Sequence, residues 1–347
     1  MRNNYRRSLL VRVGGVFGAG ALLLAGLVGL SANATSAAAA SKTYKVAVLL
    51  ASSDNGYNQA VATGVKEYVR AHLGGKVTIK VLGADFSSTT QLSQLENATI
   101  NNVYSGVIIV PNDGTTLSPA FPTGDGAPVV TVLDHIGPKW NDMQPQVKGV
   151  ISTVAVPVSS AAAKQTIGVI DYCKTINPCN VAIIVGDPTS SLDHARVTAY
   201  DAAFSGHSNI KVVATMAGAY DPATSDTAMA NALVANPKIN ALITTGDQMT
   251  EGAQIALQAK SISPSSLYMT GEGGTYIALK DVRNGSWKSD YINFPVTMGE
   301  NAMEQLYNSL TKQPVKTWVN ADQGPTAPYA TKATLKLTPS FKGQWAG

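Results

Sequence analysis

After residue 43 the chain alternates short, β-branched apolar runs with longer amphipathic stretches. The runs predict strands at Lys45–Ala51, Val77–Leu82, Gly106–Val110, Val129–Leu133, Gly149–Val154, Val181–Val185, Lys211–Thr215, Ala241–Thr245, Leu267–Gly271 and Ser289–Asn293. A helical period predicts helices at Tyr57–His72, Thr90–Asn101, Ser159–Cys173, Ser191–Phe204, Ser225–Ala235, Thr250–Ala259 and Val296–Leu310. Signals at the ends agree: Gly74-Gly75 stops the first helix, Ser87-Ser88-Thr89-Thr90 opens the second, and Asn236-Pro237 closes the fifth. Strand and helix alternating this regularly mean α/β architecture, with parallel sheets covered on both faces. Ten strands are too many for one typical nucleotide-binding sheet. The rhythm breaks over Asp134–Val147, which holds Gly137, Pro138 and Gln144-Pro145. Two doubly wound parallel-sheet lobes divided near Lys148 are therefore expected, with a single (β/α)8 barrel as the rival.

Charge changes the picture less than it first suggests. The chain of 347 residues carries a formal net charge of +4. Arg2, Arg6, Arg7 and Arg12 supply all of it, because residues 1–40 hold no acid and the remaining 22 bases balance 22 acids. A neutral body offers no phosphate-tracking face, which argues against nucleic acid as a partner. The basic start, the apolar run Val13–Leu30 and the small-residue stretch after it predict a signal peptide over residues 1–40. Cleavage is expected after Ala34 or Ala40. The pair Arg6-Arg7 is also similar to a twin-arginine signal, and an uncleaved anchor is the alternative. The mature protein is thus expected to be periplasmic, secreted or at the cell surface. Cys173 and Cys179 bracket a predicted turn, and in an oxidising compartment two such close cysteines are expected to form a disulfide.

Ligands of open parallel sheets bind beyond the carboxyl ends of the strands, and there the chain is rich in polar side chains. Asn55, Tyr57, Asn58, Asp134, His135, His194, Tyr220, Asp247, Glu272 and Asn293 all follow predicted strands or open the next helix. Amides, carboxylates, imidazoles and phenols suit a ligand dense in hydroxyls, with tyrosine rings for its C–H faces. The competing reading is that such residues only cap helices and make turns. Enzyme signatures are absent from the sequence: there is no Gly-x-Ser-x-Gly elbow, no His-Glu-x-x-His and no phosphate loop. Gly271–Thr275 lacks dinucleotide spacing and reads as a tight turn. Asp134-His135 and Asp193-His194 could pair as acid and base, but no nucleophile stands beside them. No catalytic residue, cofactor or metal is expected.

The segments Val46–Leu50, Asp54–Asn58, Ala127–Asp134, Thr189–Phe204, Ile243–Met249 and Tyr291–Gly299 together resemble the type I periplasmic sugar-binding proteins, nearest to the ribose-binding receptors of ABC transporters. The resemblance implies two lobes joined by three crossings, near Ile136–Lys148, Asn293–Phe294 and Thr317–Asp322. It assigns residues 44–148 plus 294–320 to the first lobe and 149–293 plus 321–347 to the second. It implies a monomer that closes on a small, sugar-like molecule and presents it to a membrane permease, or to a chemoreceptor. A secreted enzyme on the same scaffold and a transcriptional regulator core are the rivals, the latter opposed by the export signal. Contacts carried over by the likeness are Asn55, Tyr57, Asp134, His135, His194, Tyr220, Asn293 and a group near Glu272. His135 and His194 stand where ribose-type sites carry arginine, Asn58 replaces an aromatic residue, and Glu272-Gly273 replaces a Phe-Asp pair. The expected ligand is therefore something other than ribose.

Overall fold

The computed structural model describes residues 42–100, 103–121 and 126–347. The expected signal peptide, its arginine pair and both cleavage sites lie outside them. The strands are β1 (Tyr44–Leu50), β2 (Val77–Gly83), β3 (Gly106–Ile109), β4 (Val129–Leu133), β5 (Val150–Ala155), β6 (Cys179–Val185), β7 (Ile210–Ala217), β8 (Ala241–Thr244), β9 (Tyr268–Glu272), β10 (Ser289–Tyr291), β11 (Trp318–Asn320) and β12 (Tyr329–Thr331). The helices are α1 (Gly56–Tyr68), α2 (Ser88–Ile100), α3 (Gly114–Leu117), α4 (Val158–Cys173), α5 (Ser191–Phe204), α6 (Pro222–Ala235), α7 (Asp247–Ala259), α8 (Tyr276–Asn284) and α9 (Pro295–Leu310).

These elements build two six-stranded sheets, ordered β11-β5-β4-β3-β1-β2 and β12-β10-β9-β8-β6-β7. Every pairing is parallel except that of β10 with β12. Strand alternation divides each sheet between two helical layers. In β1, Val46, Val48 and Leu50 join the cluster of α1 and α9, while Ala47 and Leu49 join that of α2. In β6, Ala182 and Ile184 pack with Met229 of α6 and Met249 of α7, whereas Val181 and Ile183 pack with Val169 of α4 and Tyr200 of α5. Because both faces are covered, these strands read as continuous apolar runs. Each fully buried aliphatic side chain contributes about 1.5–3 kcal/mol.

The chain passes between the sheets three times: between β5 and α4, between β10 and α9, and between β11 and β12. The first differs from the expected crossing at Ile136–Lys148. That stretch only links β4 to β5, which pair within the first sheet in the register Thr131↔Thr153. Gly149–Ala155 therefore belong to the first lobe, not the second. The Gly and Pro residues over 134–147 mark a long loop rather than a change of lobe. At the second crossing α9 returns to lie on α1, and glycine makes the close approach possible. A Cβ on Gly64 would stand 1.9 Å from Val296 O, and one on Gly299 would stand 2.1 Å from Val61 O. At the third crossing, Asp322 accepts hydrogen bonds from Tyr291 Oη (2.7 Å) and pairs with Lys164 Nζ (2.9 Å). The disulfide Cys173–Cys179 is formed, joining the end of α4 to the start of β6.

Candidate functional site

A cavity of about 410 Å³ lies between the carboxyl ends of the two sheets. This size falls in the range of small-molecule sites. The first lobe supplies the loop that opens α1. Asn55 is the N-cap, its Oδ1 accepting from Asn58 N (3.1 Å) and Asn58 Nδ2 (2.9 Å), while Asn58 Oδ1 accepts from Ala51 N (3.2 Å). Both amides line the cavity, but those of Asn58 are spent on holding the loop. Tyr57 lines it too, its hydroxyl donating to Met298 Sδ (3.2 Å) and its phenol pushed up by burial.

The second lobe supplies a buried polar network. On α5, Asp193, Arg196 and Tyr200 share the buried face. Arg196 Nη2 donates to Glu272 Oε1 at the end of β9 (2.5 Å), and Nη1 donates to Asp193 Oδ1 (2.9 Å) and Tyr220 Oη (3.3 Å). Tyr220 in turn donates to Asp193 Oδ2 (2.9 Å). Asn293, at the second crossing, donates to the same Glu272 Oε1 (3.2 Å). Glu272 lines the cavity, and its Oε2 is buried without a hydrogen-bond partner. Burial pushes the Glu272 carboxyl up, against the pull of Arg196.

The cleft is crossed at Asp113 and at Phe86. Asp113, N-cap of α3, accepts from Ser191 N (2.8 Å) and Ser191 Oγ (2.7 Å) at the start of α5. Burial raises the Asp113 carboxyl, but the bonds from Ser191 and Thr116 outweigh it and hold the group below its ordinary value. Phe86 stacks on Tyr220, with centroids 6.0 Å apart and rings 20° from parallel. Both residues occupy left-handed backbone, φ +57° and +52°. Such conformations cost a bulky residue of order 1–3 kcal/mol and gather at functional sites. Gly186 leaves room for the Tyr220 ring, which a Cβ there would meet at 1.9 Å.

Of the residues expected from sequence, Asn55, Tyr57, Asn58, Tyr220, Glu272 and Asn293 line this cavity. Asp134, His135, His194 and Asp247 do not line it. Asp134 is buried behind the wall with no good hydrogen-bond partner for either oxygen, and burial pushes its carboxyl up to about 8. His135 Nδ1 stands 3.6 Å from it, too long for a hydrogen bond. The imidazole packs edge-on against Trp140, and burial lowers its basicity. His194 is exposed on α5, turned away because its neighbour Asp193 takes the inner face. Asp247 lies beneath the turn after β9, accepting from Thr275 N (2.8 Å) beside buried Asp290. Burial raises Asp247 to about 6 and Asp290 well above the usual carboxylate range.

Arg196, Phe86 and Trp345 also line the cavity and were not among the expected contacts. Arg196 carried a signal, since it lies three residues after Asp193 and four before Tyr200 on one helical face. Phe86 and Trp345 sit in irregular segments with no periodicity to expose them. Among the described residues, no group of three or more His, Cys, Asp or Glu side chains could hold a metal ion.

Comparison with known proteins places residues 46–314 in the family described as the periplasmic binding protein domain. No curated protein is similar enough to count as a match. Solved structures share the fold across nearly their whole length. An ABC transporter periplasmic solute binding protein of Actinobacillus succinogenes 130z with bound D-allose has 21% identity and TM-score 0.71, covering 85% of this chain and 100% of that one. An ABC transporter solute binding protein of Bacillus halodurans C-125 with bound myo-inositol has 17% identity and TM-score 0.74, covering 86% and 98%. A solute binding protein of Agrobacterium vitis with bound D-fucose has 17% identity and TM-score 0.74, covering 86% and 99%.

Proposed function

The chain belongs to the periplasmic binding protein domain family, with the two-lobed type I fold, and from that premise we propose that it is an exported solute-binding protein. It captures an uncharged, hydroxyl-rich molecule of the sugar or polyol class between its lobes and delivers it to the permease of an ABC importer. The observation that carries this reading is the cavity between the lobes in which Arg196, Glu272 and Asn293 form one hydrogen-bonded group flanked by aromatic rings. Aromatic faces suit the C–H surface of a sugar ring, and the polar group suits its hydroxyls. Glu272 Oε2 accepts one of these, and Asn293 and Arg196 hold that carboxylate in place.

The charge of the lining argues for a neutral ligand. Asp187 at the rim, Glu272 at the wall and Asp193 behind it outnumber Arg196. A uronate or sugar phosphate would therefore meet net negative charge in a partly desolvated space. The contacts from both lobes make closure the means of capture. A ligand shifts the open–closed balance only by its differential affinity, and moving 1:99 to 99:1 takes about 5.5 kcal/mol. Micromolar binding corresponds to about 8 kcal/mol, enough to drive such a shift.

Thermal-shift screening of neutral sugars, polyols, uronates and amino acids tests the reading. A saturable rise in melting temperature with a neutral sugar or polyol, with the ligand recovered unchanged, is the expected result. Preference for an anionic compound, or consumption of the ligand, would overturn it.

A further inference from the structure

The segment Phe341–Gly347 carries no regular structure, yet it is fastened along its length to both lobes. Gln344 Oε1 accepts from Val296 N (3.0 Å) and Thr297 N (3.2 Å), and Gln344 Nε2 donates to Thr297 Oγ1 (2.7 Å), so this side chain caps α9 just after the second crossing. Trp345 O accepts from Tyr276 N (3.1 Å) at the start of α8, and Trp345 Nε1 donates to Gly273 O (2.9 Å). The indole is 5% exposed, lines the cavity and meets the Tyr57 ring edge-on, with centroids 5.7 Å apart at 83°. It thus sits at the seam, touching the first lobe through Tyr57 and the second through the turn after β9.

The two lobes are shaped to receive it. A Cβ on Gly56 would stand 3.3 Å from Trp345 Cε3, and one on Gly273 would stand 2.9 Å from Trp345 Cζ2. The approach of the segment needs Gly343 at φ +101°, where a Cβ would also strike Gly274 O at 2.4 Å. Glycine in each lobe and in the segment itself therefore opens the seat. The one polar atom of the indole is already bonded to Gly273 O, which leaves only its apolar surface for a ligand.

We propose that Phe341–Gly347 is a built wall of the ligand cavity, and that Trp345 is a specificity-determining contact which limits the length of the carbohydrate-like ligand admitted. This rests on the solute-binding reading above. With its N–H occupied, Trp345 selects by shape against the C–H face of the ligand and does not read hydroxyl configuration. Arg196, Glu272 and Asn293 read the hydroxyls. Removing the indole therefore changes the preference for ligand size while leaving the ranking of epimers intact, an effect that simple loosening of the fold does not produce.

The test titrates the full-length chain and its Trp345→Ala, Trp345→Phe and Gln344→Ala variants with neutral pentoses and hexoses, and with disaccharides containing the preferred ring. For Trp345→Ala, affinity for the preferred monosaccharide should fall at least tenfold. The ratio of disaccharide to monosaccharide affinity should rise at least tenfold, with the order of epimers unchanged. Trp345→Phe keeps a ring against Tyr57 but loses the bond to Gly273, and its ratio should rise about threefold. Gln344→Ala, which frees the segment from α9 without touching the cavity, should move the ratio in the same direction. If Trp345→Ala fails to fold, the Phe variant decides. A ratio within twofold of the parent in the folded variants overturns the proposal alone. A parent chain that binds no member of the panel overturns the solute-binding reading, and the assignment of Trp345 with it.

Discussion

Replacing Arg196 by alanine removes the one cation from the buried network, and the consequence can be worked from its partners. Asp193 keeps bonds from Asp187 N (2.8 Å) and Tyr220 Oη (2.9 Å), so its charge remains partly satisfied. Glu272 keeps only Asn293 at 3.2 Å, and its second oxygen has no partner. Glu272 is 4% exposed and Arg196 6%, so water screens neither. Breaking a buried pair by deleting one partner costs about 3–5 kcal/mol, a large share of the 5–15 kcal/mol that holds a typical domain together. Part of that loss is packing and is independent of pH. The rest is the cost of an uncompensated carboxylate, and that part depends on pH with a definite sign. Burial already raises Glu272, and without Arg196 its folded-state pKa rises further above the unfolded value. The folded variant then binds the proton more tightly than the parent does, so its deficit is smallest at low pH and grows as pH rises from the parent's folded-state pKa to the variant's. Each pH unit in that window is worth about 1.4 kcal/mol. Urea unfolding of Arg196→Ala and the parent at pH 5 and pH 8 measures this. The deficit should be about 3–5 kcal/mol at pH 8 and smaller at pH 5. Adding Glu272→Gln should recover most of the pH-dependent part. A deficit below about 1 kcal/mol at pH 8, or one of equal size at both pH values, would refute the account of the network.

Asp134→Asn should stabilise the protein at pH 8 by an amount on the order of 5 kcal/mol, since burial holds that carboxyl at about 8, roughly four units above its ordinary value. The parent loses this stability as pH rises from about 4 to 8, and the variant, having no charge to bury, does not. Ligand affinity should stay within twofold, because Asp134 does not line the cavity; a tenfold loss in calorimetry would restore it as a contact. Asp113→Ala removes two charge-assisted bonds across the cleft, each worth about 1.5–3 kcal/mol. It should weaken ligand binding at least tenfold and enlarge the radius of gyration seen by X-ray scattering; unchanged scattering and affinity would show the contact to be idle. Changing Cys173 and Cys179 together to serine should cost about 2 kcal/mol in the loop-entropy account of so short a ring, read as a lower urea midpoint with ligand binding retained.

The clearest strands were legible because a parallel strand covered on both faces is apolar along its length, as Val46–Leu50 is. β11 and β12, three residues each, were not, since so short an edge strand has no period to detect. The first crossing was misplaced for a related reason. Gly137, Pro138 and Pro145 announce a loop, but only pairing in space decides whether the next strand rejoins the same sheet, as β5 does. The candidate site was half legible. Polar residues at strand ends named the right region, and Tyr220, Glu272 and Asn293 converge there. Direction was not in the sequence. Asp193 and His194 are adjacent, yet a helix turns successive side chains about 100° apart, so one faces the network and the other faces water. Asn58 showed the opposite ambiguity: it lines the cavity while its amide serves the backbone of Ala51. Trp345 becomes a neighbour of Tyr57 only through the folding of both lobes.

The central claim is that one small neutral ligand bridges the lobes and closes them. Isothermal titration calorimetry of the preferred neutral sugar or polyol into the protein, run beside X-ray scattering of the same samples, tests it most directly. One-to-one saturable binding, a fall in the radius of gyration on saturation, and loss of both in Asn293→Ala or Glu272→Ala is the predicted result. Saturable binding with no change in dimensions, or affinity untouched by either substitution, would contradict it.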